Sequence, residues 1–189
     1  SVDEWGIMSR DLLSVLPIAQ CFNSFIRHAD VVKMADFTMF TSLLGNDPQK
    51  GTFKTPLYFI FKAYSDNCRG NSIDTYVECE SFKTELYSNV PYLDVTTVYS
   101  KEANTIFINV INRHKDKEIT AEIINAGGGL SGSAEAYLIA GTSLNETFTF
   151  DKQAQYVPVK KTVKIEKGKI TCSFPAHSFT QIKVELKKL

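Results

Sequence analysis

The chain has 189 residues, is 43% hydrophobic and 22% charged, and carries no formal net charge. That length holds one large domain, or a small domain with an appended piece, and the composition is ordinary for a folded globular chain. A balanced charge without a basic stripe argues against a nucleic-acid partner, and no apolar run reaches the length of a membrane span.

The first residues, Ser1-Val2-Asp3-Glu4-Trp5-Gly6, bring two carboxylates up to the single Trp of the chain. Asp3 and Glu4 so close to the start, with no basic lead, do not make a signal peptide. Residues 2–7 read as a short strand. The acidic pair is either a solvated chain start or the end of a strand that presents a carboxylate beside an aromatic ring. From residue 11 to 29, apolar side chains recur with helical period at Leu12, Val15, Leu16, Ala19, Phe22 and Ile26. Pro17 falls inside this pattern and must kink the helix or mark its first turn. Residues 31–35, Val-Val-Lys-Met-Ala, favour β structure and read as a buried parallel strand. Strand, helix and strand form a βαβ unit.

Residues 37–44 could be a helical turn or a loop, and residues 45–51 are a turn by composition. Thr55 and Pro56 start a second helix as N-cap and first helical residue. It runs to about residue 67, and Arg69-Gly70 closes it. Beyond residue 73 the period changes to alternation. Strands are expected at 74–80, 92–100, 105–112, 118–125, 135–140, 157–166, 169–174 and 179–186. Many short strands with turns between them indicate an antiparallel sandwich. The fold class is therefore mostly β: a C-terminal antiparallel, jelly-roll-like β-sandwich preceded by a β-α-β-α segment. The division falls at 1–70 and 71–189.

Cys21, Cys68, Cys79 and Cys172 form no CxxC pair, and none has a His at ligand spacing, so no metal site is expected. Cys68 and Cys79 are close enough in sequence for a disulfide, although free buried cysteine is the commoner case. The Gly127–Gly132 run lacks the context of a phosphate loop and reads as structural. Asn145-Glu146-Thr147 matches a glycosylation sequon, a tripeptide common by chance.

Val2-Asp3-Glu4-Trp5, followed after one helix length by Arg27-His28-Ala29-Asp30-Val31-Val32-Lys33-Met34-Ala35, resembles the C-terminal portion of the family 51 glycoside hydrolases, the α-L-arabinofuranosidases. Tyr92-Leu93-Asp94-Val95, Val110-Ile111-Asn112-Arg113 and Pro175-Ala176-His177-Ser178 stand in the order of that family's terminal β-domain. The resemblance implies that residues 1–70 are the last strands and helices of a (β/α)8 barrel, whose strand C-termini carry the active site. It makes Glu4 the catalytic nucleophile and Trp5 a substrate-binding residue, with Asp3 in a structural role. The implied reaction releases α-L-arabinofuranosyl residues from arabinose-containing glycans with retention, and needs two carboxyl groups about 5–5.5 Å apart.

The acid/base Glu is expected on an earlier strand, outside these residues, so the chain is expected to be inactive alone. Asp36 and Asp47 are poor substitutes, because the family does not use those positions. No cofactor is implied. The expected partners are the glycan, the rest of the barrel and further copies of the enzyme in an oligomer. The sequence departs from the family at Met8, where a Trp is usual, and at Asp36 and Met39, where Asn and Gln are usual. An alternative reading is a non-catalytic β-sandwich module that binds carbohydrate or supports a partner domain. Tyr87, Tyr92, Tyr137 and Tyr156 would then be candidate stacking residues.

Overall fold

Residues 1–8, 10–38 and 40–186 are described by the computed structural model. Met39, where the family carries a Gln, lies outside the described residues. Strand β1 (Val2–Trp5) leads to helix α1 (Leu12–Arg27) and then to β2 (Ala35–Phe37), which pairs in parallel with β1. Asp11 caps α1. Its Oδ1 accepts from the Ser14 amide at 2.9 Å, and the Ser14 hydroxyl lies 3.4 Å from the Asp11 amide, a reciprocal capping box. Leu12, Val15, Leu16, Ile18 and Ala19 are buried, whereas Pro17 is exposed. On that solvent face water can take up the carbonyl that Pro17 leaves without an N–H, so the helix continues through it.

The second strand starts later than its composition indicates. Val31 and Val32 both donate to the His28 carbonyl in a turn after α1, and Val31 and Met34 are exposed. Pairing begins only at Ala35. A short 3-10 turn (Phe40–Leu43) then opens a hairpin, β3 (Leu44–Asp47) and β4 (Gly51–Lys54), where only a turn was expected. Asp47 accepts from the amides of Gln49 and Lys50 at 2.9 Å each and so folds the hairpin tip. Helix α2 (Pro56–Asn67) begins as expected, with the Thr55 hydroxyl accepting from the Tyr58 amide.

Chain reversal at Gly70 brings its backbone against the Tyr99 carbonyl, closer than a Cβ would allow. The strands that follow are β5 (Asn71–Ile73), β6 (Ser81–Phe82), β7 (Val90–Pro91), β8 (Leu93–Ser100), β9 (Thr105–Asn112), β10 (Ile119–Ile124), β11 (Ser133–Ile139), β12 (Val159–Val163), β13 (Ile165–Glu166), β14 (Lys169–Phe174) and β15 (Ser178–Glu185). Residues 74–80 form no strand. They run beside β8 with isolated contacts rather than a ladder: the Thr75 hydroxyl donates to Thr97 at 3.0 Å and the Tyr92 amide to the Glu80 carbonyl at 2.9 Å, while Val77 and Cys79 pack on the sandwich core. The expected strand at 157–166 is broken at Lys164, where the chain passes from one sheet to the other. A 3-10 helix (Phe150–Tyr156) precedes it.

Six strands form one antiparallel sheet in the order β12-β11-β15-β9-β8-β5, and three form the other, β10-β14-β13. Ile108, Val110, Ala134, Ala136, Ile182 and Val184 face Ile170 and Phe174 between the sheets. The opposite face of the large sheet presents Ile111, Ile139 and Phe179 to Val15, Ile18, Leu57 and Ile60 of the helices. This explains why both faces of β9 are apolar: one belongs to the sandwich core, the other to the seat of α1 and α2. All four cysteines are free, so Cys68 and Cys79 form no disulfide.

Candidate active-site strand end

Glu4 is exposed at the end of β1, with a left-handed φ of +53°. Pairing with β2 runs Val2↔Ala35 and Trp5↔Phe37, with an irregularity between them. Simple alternation would send Asp3 and Glu4 to opposite sides. Here the strand end is distorted, and both carboxylates are exposed. A non-glycine residue in the left-handed region is held there at an energetic cost, a device that clusters at functional sites.

Trp5 supplies the hold. Its ring is 8% exposed. Phe22, Phe25 and Phe37 meet it edge-on at 5.1, 4.9 and 5.0 Å, and Phe61 lies parallel at 6.1 Å. The Trp5 carbonyl accepts from the Thr38 amide at 3.0 Å. Gly6 follows at φ +113°, where a Cβ would collide with the Phe37 ring. The aromatic cluster thus leaves Trp5 no open face for a sugar, and places it as the anchor directly behind Glu4. Its buried Nε1 has no hydrogen-bond partner among the described residues.

Asp36 lies next to this point on β2 and is exposed. Asp47 is committed to its own turn. The Lys50 amide first, then that of Gln49, pulls its carboxyl below the usual range. Met8, where the resemblance implies a Trp, is 59% exposed. Among the described residues no group of three or more His, Cys, Asp or Glu could hold a metal ion.

The later motif segments meet at one end of the sandwich. Asp94, 5% exposed on β8, pairs with Arg27 of α1 at 2.6 Å and with Arg113 at 3.8 Å. Asn112 donates to the carbonyls of Lys117, Phe174 and Pro175 at 2.9 Å each. The His177 ring lies 3.0 Å from the Lys115 carbonyl and 3.2 Å from that of Gly141. These residues join chain segments and tie α1 to the large sheet.

A buried polar seam, not foreseen from the sequence, continues that junction. Tyr64 and Thr96 both donate to Asn23 Oδ1, at 2.6 and 2.7 Å. Gln181 donates to Asn109 Oδ1 at 2.7 Å and accepts from Asn67 at 2.6 Å. The available signal was the presence of Thr96, Asn109 and Gln181 inside otherwise apolar strands, since buried polar groups need partners. Of the tyrosines considered for stacking, Tyr156 is buried, Tyr92 packs on Phe82 and His114, Tyr137 is half-buried, and Tyr87 alone is openly exposed.

Residues 3–178 match the family described as the alpha-L-arabinofuranosidase C-terminal domain. The chain is similar to the intracellular exo-alpha-(1->5)-L-arabinofuranosidase 1 of Bacillus subtilis, with 26% identity over 97 residues, covering 50% of this chain and 19% of that protein. It is also similar to the intracellular exo-alpha-(1->5)-L-arabinofuranosidase of Halalkalibacterium halodurans, with 22% identity over 102 residues, 52% of this chain and 20% of that one. The chain spans about a fifth of the length of these curated relatives.

Among solved structures, the family 51 arabinofuranosidase of Xanthomonas axonopodis pv. citri superposes with a TM-score of 0.83 at 20% identity, covering 97% of this chain and 40% of that one. The thermostable family 51 enzyme of Thermotoga petrophila gives 0.82 at 22% identity, covering 98% and 43%. The chain belongs to the alpha-L-arabinofuranosidase C-terminal domain family.

Proposed function

We propose that these residues work within a retaining α-L-arabinofuranosidase, with Glu4 as the nucleophile. The observation that carries the reading is Glu4 itself: an exposed carboxylate held in a left-handed conformation at a strand end, immediately before a Trp locked in an aromatic cluster. Attack by Glu4 on the anomeric carbon forms a glycosyl-enzyme ester. A second carboxyl group protonates the leaving oxygen and then activates water. That acid/base group comes from the part of the enzyme beyond these 189 residues. Trp5 positions the strand end, and sugar contacts come from elsewhere in the cleft.

In this reading residues 1–70 complete the catalytic barrel and residues 71–189 form the supporting sandwich. Two parallel strands cannot close a barrel. The free edges of β1 and β2 and the exposed Ile7 and Met34 are where the remaining barrel packs. The substrates are arabinose-containing oligo- or polysaccharides.

The test is hydrolysis of an aryl α-L-arabinofuranoside. The isolated 189-residue chain gives no turnover, and the enzyme that contains it gives turnover that falls by about a thousandfold or more on Glu4→Gln. Turnover by the isolated chain, abolished by Glu4→Gln, would place the proton donor inside these residues instead.

A further inference from the structure

The six-stranded sheet is wider than the three-stranded sheet that covers it, so part of its inner face is left open at the β12 edge. Ala136 and Leu138 floor a cleft of about 730 Å³ there, between β12 and the β13–β14 hairpin. Ligand pockets commonly span about 300–1,000 Å³. Three features mark this one. Lys161 points to the inner side of β12, because it pairs in register with Ala136. Together with Lys164 and Lys167 it lines the cleft, and none of the three ammonium groups makes an ion pair or hydrogen bond among the described residues. Lys169 is matched by Glu122 at 3.5 Å, which leaves Glu166 among the lining carboxylates, with Glu118 close enough to act on Cys172, beside the three ammonium groups.

The second feature lies at the back wall. Thr180 Oγ1, on the inner face of β15, is buried and has no hydrogen-bond partner. Its neighbours on that face in the sheet are Val110 and Leu138, which cannot supply one. The third is composition. Thr180 is the lining hydroxyl on the inner face, since Thr162 and Thr171 fall on the outer faces of their strands, and no aromatic ring is present. The cleft therefore offers positive charge and a buried hydroxyl rather than a stacking face.

We infer that this cleft is a second, non-catalytic site that takes a carboxylate-bearing saccharide, a chain of hexuronate units, with carboxylates at Lys161, Lys164 and Lys167 and a hydroxyl toward Thr180. Lysines on an edge strand also deter strand pairing. That role is met by outward lysines such as Lys160, which pairs with Glu135 at 2.7 Å, and does not require Lys161 to face inward. The inference stands apart from the proposed role of Glu4, and either can fail without the other.

The test is calorimetric titration of the 189-residue chain with a galacturonic acid trimer, with arabinotriose and inorganic phosphate as comparison probes. The trimer binds, and binds at least about tenfold more weakly to the Lys161→Gln/Lys164→Gln/Lys167→Gln variant, whereas Lys62→Gln on α2 changes nothing. These lysines are exposed, and an unchanged thermal midpoint confirms that the variants are folded. No binding of the trimer, binding unchanged in the triple variant, or equal binding of arabinotriose or phosphate would overturn the inference.

Discussion

Glu4 and Trp5 make opposite demands at adjacent positions. A carboxylate-bearing residue at φ +53° is strained, and a Gly is not. Glu4→Gly should therefore raise stability by about 1 kcal/mol, read from the denaturant midpoint, while removing the proposed nucleophile. Glu4→Gln keeps the strain and should leave stability within about 0.5 kcal/mol. Trp5→Ala empties the centre of four phenylalanine rings and should cost about 3–5 kcal/mol.

Cys68 carries a pH signature. Burial raises its thiol to about 11, partly opposed by a hydrogen bond with Asn109, and burial pushes the Tyr64 hydroxyl up as well. Between the ordinary thiol value and about 11, the unfolded chain has released a proton that the folded chain keeps. Stability is then full below that window and falls as pH rises through it. Urea midpoints measured across the window should decline, and Cys68→Ala should flatten the decline.

At the scale of elements, the junction between helices and sheet rests on polar groups inside an apolar seat. Removing one member leaves its partner buried and unsatisfied. Asn109→Ala should cost about 1–3 kcal/mol, and a double-mutant cycle with Gln181→Ala should give a coupling of about 0.5–3 kcal/mol. Asp94→Ala leaves Arg113, a guanidinium that burial already disfavours, with only neutral partners, the Pro91 carbonyl and Gln20, and should cost about 3 kcal/mol.

These elements differ in how far the sequence exposes them. Helix α2 was legible because Thr55, Pro56 and Gly70 are local signals that act on the backbone directly. Strands β9 and β14 were legible from their apolar alternation and the turns that bound them. The start of β2 was not. Val31 and Val32 favour β structure intrinsically, but the His28 carbonyl claims their amides first. The break at Lys164 and the lack of a strand at 74–80 were hidden for a related reason: whether a β-favouring stretch forms a continuous ladder is set by tertiary contacts, and residues 74–80 make only isolated bonds beside β8. At the end of β1, sequence resemblance picked out Glu4 and Trp5, whereas the burial of the Trp ring depends on Phe22, Phe25, Phe37 and Phe61 arriving from three other elements.

The whole molecule is organised around one sheet that serves two neighbours, a smaller sheet on one face and two helices on the other. Because Ile111 and Phe179 join the helical cluster from the same strands that carry Val110 and Ile182 into the sandwich, neither part has a complete core without the other. Helical and strand signals should melt in one transition, and two separate transitions would contradict this. The central claim, that Glu4 is the residue attacking the sugar, is tested most directly by trapping. The enzyme containing this chain, inactivated with a 2-fluoro arabinofuranosyl donor and digested, should carry the sugar as an ester on the peptide that includes Val2-Asp3-Glu4-Trp5, at Glu4. A label on any other carboxylate, with this peptide unmodified, would contradict the account.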